Sequence, residues 1–342
     1  MSPTHAMPLI GIEEHFLTGA IRDAWTAAGL AASDPSVAFH GGAVEARLLA
    51  LGHARLALMD ETGLDMQVLS LTTPALNDLG RRGIDLARQA NDALAEVVAR
   101  HPDRFQAMAT LPLGEPEAAA RELARCVQVL GFKGTVLCGK AGGRHLDDPA
   151  LFPVLQCAAT LGVPVLLHPR TPDAAVRAAY YTGFTPAVDA AFATYGLGWH
   201  YDAGIQFLRL VLAGTFDRLP ELQVILGHWG EVVLFYAERL VAMDRVAGLQ
   251  RPLARCLREN LHVTASGMFL PHFLQRAAAV VGQDRLLFST DFPYQYRPGH
   301  DARRFLETCG LDDAAKAGFA HGNWLRLTAA QGTSTARGTR GE

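Results

Sequence analysis

The sequence predicts an α/β chain folded as a (β/α)8 TIM barrel, with an insertion after the first strand and a helical extension at the C-terminal end. Three observations carry that prediction. Eight short apolar runs alternate along the chain with stretches of helical periodicity. The runs are nearly continuous in Val, Leu, Ile and Phe, as strands of a parallel sheet covered on both faces should be. No G-x-G-x-x-G follows the first run, which argues against an open dinucleotide-binding sheet.

The first strand is Leu9 to Phe16, an apolar run whose end turns abruptly to Glu13-Glu14-His15. Side chains alternate across a strand, so Glu13 and His15 share one side and Glu14 takes the other. Residues 17–58, rich in Ala, Gly and Leu, predict an active-site insertion of helical pieces that ends in a helix around Ala46 to Glu61. Asp65 to Leu71 is the second strand. Helix Arg82 to Arg100 carries apolar residues at Ile84, Leu86, Ala90, Leu94 and Val97 and stops at His101-Pro102.

Phe105 to Leu111 is the third strand, and helix Glu115 to Leu130 leads to a fourth at Gly134 to Cys138. The alternation continues with helix Asp148 to Leu161, strand Val163 to His168, helix Ala203 to Phe216 and strand Gln223 to His228. Helix Glu231 to about Arg245 follows, then strand Leu261 to Ala265, helix Pro271 to Val281 and strand Arg285 to Thr290. A helical pair spans Ala302 to Leu327. Residues 1–329 are thus predicted as one barrel domain, and 330–342, made mainly of Gly, Ser, Thr and Arg, as a disordered tail.

Composition narrows the function. With 49% hydrophobic and 19% charged residues, the 342-residue chain can bury a large core. A net charge of -3 lacks the basic footprint of a nucleic-acid partner. The five cysteines are odd in number and form no C-x-x-C pair, so a reduced, cytoplasmic location is expected. No run approaches the roughly 20 apolar residues of a membrane span, and no basic start and apolar run mark a signal peptide. The expected partner is a small molecule.

In such a barrel the chemistry sits at the C-terminal ends of the strands. Those ends offer Glu13 and His15 after strand one, His168 after strand five, His228 after strand six and Asp291 after strand eight. A lone histidine at a strand end is more often a structural hydrogen-bonding residue. Five metal-capable residues at four strand ends are harder to attribute to chance. Carboxylate and imidazole with an open position suit one catalytic divalent metal, Zn2+ or Mn2+, with Mg2+ as the further alternative.

The same residues carry a family resemblance. Glu13-Glu14-His15-Phe16, His168-Pro169-Arg170, Gly227-His228-Trp229-Gly230-Glu231 and Ser289-Thr290-Asp291-Phe292-Pro293 resemble the metal-dependent amidohydrolase superfamily. Within it the chain is similar to the branch of aromatic-acid and aminocarboxymuconate-semialdehyde decarboxylases, over about residues 9 to 327. Glu-x-His, where hydrolytic relatives carry His-x-His, favours decarboxylation.

The resemblance implies that Glu13, His15, His168 and Asp291 bind the metal, that His228 contacts substrate or water, and that Glu231 orients His228. It further implies that Arg239 reaches across a subunit interface, in a homodimer or homotetramer. An ortho-hydroxybenzoate would chelate the metal, and Asp291 would protonate the carbon bearing the carboxylate. Phe292 is expected at the substrate. Arg170 offers a bidentate fork to a carboxylate, against a structural ion pair at the barrel mouth.

Other candidates have blander readings. His200 either lines the pocket or caps and packs. His40, His53, His145, His272, His300 and His321 are expected on the surface or in loops, and Cys138 as a small buried hydrophobe. The loop Cys138-Gly139-Lys140-Ala141-Gly142-Gly143 departs from the Asn-Gly pair of the resembling decarboxylases. Residues 171–203, with Tyr180, Tyr181 and Phe184, suggest a differently lined aromatic lid. Specificity therefore does not transfer. A metal-dependent hydrolase of a lactone, amide or ester is the second reading, and a non-catalytic barrel the third.

Overall fold

The structure, a computed structural model, describes residues 7–329. The predicted tail at 330–342 lies outside the described residues. Eight parallel strands run β1 (Ile10–Phe16), β2 (Met66–Leu71), β3 (Phe105–Ala107), β4 (Thr135–Cys138), β5 (Val165–His168), β6 (Val224–Leu226), β7 (Leu261–Thr264) and β8 (Leu286–Leu287). They pair in sequence order as β1-β2-β3 and β4-β5-β6-β7-β8.

Two seams close the ring. Ala109 donates its N–H to the Gly134 carbonyl at 2.8 Å, joining β3 to β4. Ile12 and His15 donate to the Phe288 and Phe292 carbonyls at 2.9 and 2.7 Å, joining β1 to β8. A closed barrel of eight strands leaves no sheet edge unpaired. Seven of seven residues in β1 are buried, polar ones included, because the strand is covered on both faces.

Helices form the outer layer. Arg82–Arg100 turns Leu86, Ala90, Leu94 and Val97 inward along one stripe, the spacing read from the sequence. The C-terminal extension is pinned by Asn323, whose amide donates to the Gln283 and Leu286 carbonyls at 2.9 and 2.8 Å. Trp324 Nε1 donates to Gln106 Oε1 at 2.8 Å and so ties the extension to β3.

The insertion is a set of helical pieces, and its terminal helix is broken where one was predicted. Ala43–Leu49 and His53–Thr62 are separated at Ala50-Leu51-Gly52, with Gly52 preceding the second piece. The insertion folds back over the barrel mouth. Trp25 Nε1 donates to the Ala75 carbonyl at 2.8 Å, and Thr171 Oγ1 to Asp34 Oδ1 at 2.6 Å. These bonds fix the insertion to the loops after β2 and β5.

The largest departure follows β6. No helix begins at Glu231; regular turns start only at Ala237–Val241 and Asp244–Ala247. His228, Trp229, Gly230 and Glu231 all have φ between 48° and 81°, a left-handed stretch that cannot open an α-helix. Three hydrogen bonds offset the backbone strain. The His228 N–H donates to Ser266 Oγ at 2.7 Å, the Trp229 N–H to the Thr264 carbonyl at 2.8 Å, and Trp229 Nε1 to the Met268 carbonyl at 2.8 Å. The helix predicted at Ala203 to Phe216 starts earlier, at Gly198, and breaks at Gly214, where φ is 68°.

Candidate active site

Glu13 and His15 leave β1 on one side, as alternation requires, and meet His168 from β5. All three are buried, and ligand-capable atoms of the three lie within 4.8 Å of one another. Glu13 Oε1 is 3.8 Å from His168 Nε2. His15 Nε2 is 3.3 Å from Asp291 Oδ1, and the His15 and His168 rings meet edge to face at 4.7 Å.

Each group is oriented from behind. Thr264 Oγ1 donates to Glu13 Oε2 at 2.7 Å, and Ser266 Oγ donates to the same oxygen. His15 Nδ1 lies 3.3 Å from Ser70 Oγ. His168 Nδ1 lies 2.9 Å from the Pro169 carbonyl, which can only accept, so the proton belongs on Nδ1 and Nε2 keeps its lone pair. Gly227 makes room for the cluster, because a Cβ there would come within 2.8 Å of Glu13 Oε1.

This leaves Glu13 Oε1 and His15 Nε2 buried with no hydrogen-bond partner among the described residues. Buried polar atoms are ordinarily paired. An unpaired carboxylate oxygen and an unpaired imidazole nitrogen in one cluster fit a divalent cation with mixed O and N ligands. Burial opposes charge on Glu13, but the charged His228, with the Ser266 hydrogen bond, holds its carboxyl below the ordinary range. Burial keeps His15 and His168 neutral, down to about 4 and about 3, which is the ligating form. Burial, and then the Glu13 charge, pushes the Asp291 carboxyl well up.

A second group adjoins the first. His228 Nδ1 is 2.9 Å from Glu231 Oε1, and His200 Nδ1 is 2.6 Å from Glu231 Oε2. Burial disfavours a charged His228, but Glu231 outweighs it and raises the imidazole to about 10. The left-handed stretch at 228–231 is what turns the Glu231 side chain back onto His228.

The remaining predicted residues are placed as follows. Arg170 pairs with Asp78, donates to the Lys140 carbonyl at 2.6 Å and lies 3.6 Å from Asp34, so its guanidinium is engaged in an ion-pair network at the mouth. Phe292 is buried with the Arg55 guanidinium 3.9 Å over its ring. Arg239 is exposed on the short helix Ala237–Val241. Cys138 is buried, and burial pushes its thiol up to about 12.

Two groups escaped sequence reasoning. His40, expected on the surface or in a loop, is 6% exposed, with its ring 5.3 Å from Trp25 and 6.0 Å from Tyr294. Tyr294 in turn packs 5.7 Å from His15. Behind β1, Glu14, Gln67 and Arg55 form a wholly buried polar network. Glu14 on the far side of β1 and Gln67 inside the strand Met66–Leu71 are the sequence signals for it. Tyr180, Tyr181, Phe192, Tyr201 and Asp202 of the predicted lid, with Lys140, wall a cavity of about 620 Å3 whose lining includes none of Glu13, His15, His168 and Asp291.

The amidohydrolase family model matches residues 45–327. The chain belongs to the amidohydrolase family. It is 35% identical over 304 residues to a γ-resorcylate decarboxylase of Rhizobium radiobacter, covering 84% of this chain and 88% of that one. Among solved structures it is similar to 5-carboxyvanillate decarboxylase of Novosphingobium aromaticivorans, complexed with manganese and 4-hydroxy-3-methoxy-5-nitrobenzoic acid. There the TM-score is 0.86 at 29% identity, covering 95% of this chain and 96% of that one.

It is also similar to dihydroxybenzoic acid decarboxylase of Polaromonas sp. JS666, with bound manganese and 2-nitroresorcinol. That match has a TM-score of 0.81 at 31% identity and covers 96% of this chain and 99% of that one. The amidohydrolase barrel, the carboxy-lyase class and the divalent metal expected from the sequence all agree with these relatives. No helix among the described residues is long and apolar enough to cross a membrane.

Proposed function

We propose that this amidohydrolase is a metal-dependent, non-oxidative decarboxylase of a hydroxylated aromatic acid of the ortho-hydroxybenzoate kind. The observation that carries the reading is the buried Glu13–His15–His168 cluster, with unpaired ligand atoms and Asp291 alongside. The manganese in two decarboxylases of the same fold supports it.

Glu13, His15, His168 and Asp291 would hold one divalent cation. When bound, the ion supplies Lewis-acid stabilisation of charge on the phenolic oxygen. The chain does the rest. His228, held charged by Glu231, faces an anionic oxygen of the substrate. Asp291 takes up the phenolic proton as the substrate binds and delivers it to the ring carbon that bears the carboxylate. The bond from that carbon to the carboxylate then breaks, its electron pair restores the aromatic ring, and carbon dioxide leaves.

Arg170 and Phe292 serve the substrate indirectly, through the walls they stabilise. Arg239, exposed, is assigned to a neighbouring subunit's site in a homodimer or homotetramer. A cytoplasmic location fits a reaction on small soluble acids and the free cysteines.

Replacing Asp291 with Asn tests the assignment. Substrate binding to the metal-loaded Asp291→Asn protein stays detectable by calorimetry, while carbon dioxide release from a panel of hydroxybenzoates stops. Full activity in that variant contradicts the proton-donor role. Carbon dioxide formed without uptake of water separates this reaction from hydrolysis.

A further inference from the structure

We propose that His200 is a positioning residue for His228, acting through Glu231; this rests on the reading of His228 as the group that faces substrate. His200 sits in the first turn of the helix Gly198–Leu212, in the connection between β5 and β6. Its Nδ1 lies 2.6 Å from Glu231 Oε2, while Oε1 of the same carboxylate lies 2.9 Å from His228 Nδ1. The two imidazole rings meet edge to face at 4.7 Å. On its far side, His200 Nε2 is 3.2 Å from the Tyr195 carbonyl.

A carboxylate gripped at one oxygen can still rotate about its last carbon–carbon bond, and the imidazole it holds rotates with it. Gripping the second oxygen fixes the carboxylate plane. The His228 Nδ1–H then has one direction, and Nε2 is the nitrogen left for the substrate. Glu231 is fully buried at its side chain, so no solvent replaces the lost grip. The three groups also have ligand-capable atoms within 4.8 Å, as a metal site would. However, both oxygens and both Nδ1 atoms already satisfy one another, so no ion is needed there.

The test compares His200→Phe, which keeps a flat ring but no donor, with His200→Asn, whose amide N–H reaches the position of Nδ1–H. In the full-length, metal-loaded protein, His200→Phe lowers kcat about 10- to 100-fold, the usual range for losing such a supporting group. KM and metal content are unchanged, and His200→Asn recovers most of the rate. In a Glu231→Gln background, His200→Phe causes no further loss, because the two act as one unit.

A wild-type kcat in His200→Phe, an undiminished effect in the Glu231→Gln background, or loss of a second equivalent of metal overturns the proposal. Proton NMR of the ring N–H signals needs no turnover: His200→Phe shifts the downfield His228 Nδ1–H resonance. If the wild type decarboxylates nothing yet that resonance moves, the functional reading fails and the positioning role stands. If the wild type is active and neither resonance nor kcat moves, the positioning role fails.

Discussion

Glu13 and Glu14 are consecutive carboxylates on one strand, both wholly buried, and they end in opposite electrostatic states. Glu13 faces His15, His168 and His228, and the charged His228 holds its carboxyl down against the cost of burial. Glu14 faces the other way, accepting from the Thr290 N–H at 2.7 Å, Thr290 Oγ1 at 2.6 Å and Gln67 Nε2 at 3.3 Å. There burial outweighs those bonds and Arg55, and the carboxyl is pushed up to about 7. Neutral donors can satisfy a carboxyl that remains free to protonate; a cation-binding carboxylate needs positive or polarisable neighbours.

The Glu14 side is a brace for the other. Glu14 fastens Thr290, the residue before Asp291, to β1. Arg55 donates to Gln67 Oε1 at 2.6 Å and to the His15 carbonyl at 2.9 Å, and covers Phe292. Gly11 is part of the same arrangement, since a Cβ there would come 2.3 Å from Glu14 Oε1. One face of β1 presents ligands and the other fixes where they point.

Substitution separates the two faces. Glu13→Gln should lose most bound metal by elemental analysis and about 10³-fold or more in turnover, the scale of several kcal/mol of charge stabilisation. Retained metal and activity would break the contrast. Glu14→Gln should keep its metal and lose about tenfold in kcat, as expected for a group that orients ligands without touching the ion. An equal loss of metal in both variants would show that the faces are not distinct.

A smaller effect concerns stability in the metal-free chain. Glu14 holds its proton up to about 7 when folded, against 4.5 for an ordinary carboxyl. Between those values the folded chain binds the extra proton, so this contribution is full below 4.5 and is lost as pH rises through about 7. His15 and His168, held down to about 4 and 3, act in the opposite direction and lose stability as pH falls below 6.5. Comparing wild type with Glu14→Gln cancels the histidines. The variant's stability should fall less over that window, by up to roughly 3 kcal/mol in denaturant titrations. Parallel profiles would contradict the raised Glu14.

The ligand side was legible because it lies in strand ends. Period-2 alternation placed Glu13 with His15, and apolar runs pointed directly at His168 and Asp291. The brace was not legible, because Arg55 comes from a helix in the insertion, and only its tertiary contacts reveal its role. The turn after His228 misled for a related reason. Helical spacing at 231–245 looked sufficient, but hydrogen bonds to Thr264, Ser266 and Met268 hold residues 228–231 left-handed. His40 and His200 each needed a neighbour distant in sequence, Tyr294 and Glu231, before burial or pairing could be read.

The most direct measurement is an anomalous-difference map of crystals grown with manganese. The account predicts one peak per chain, bounded by Glu13, His15, His168 and Asp291, with none beside Glu14. A peak between His200, His228 and Glu231, or no peak at the β1 ligands, would contradict it.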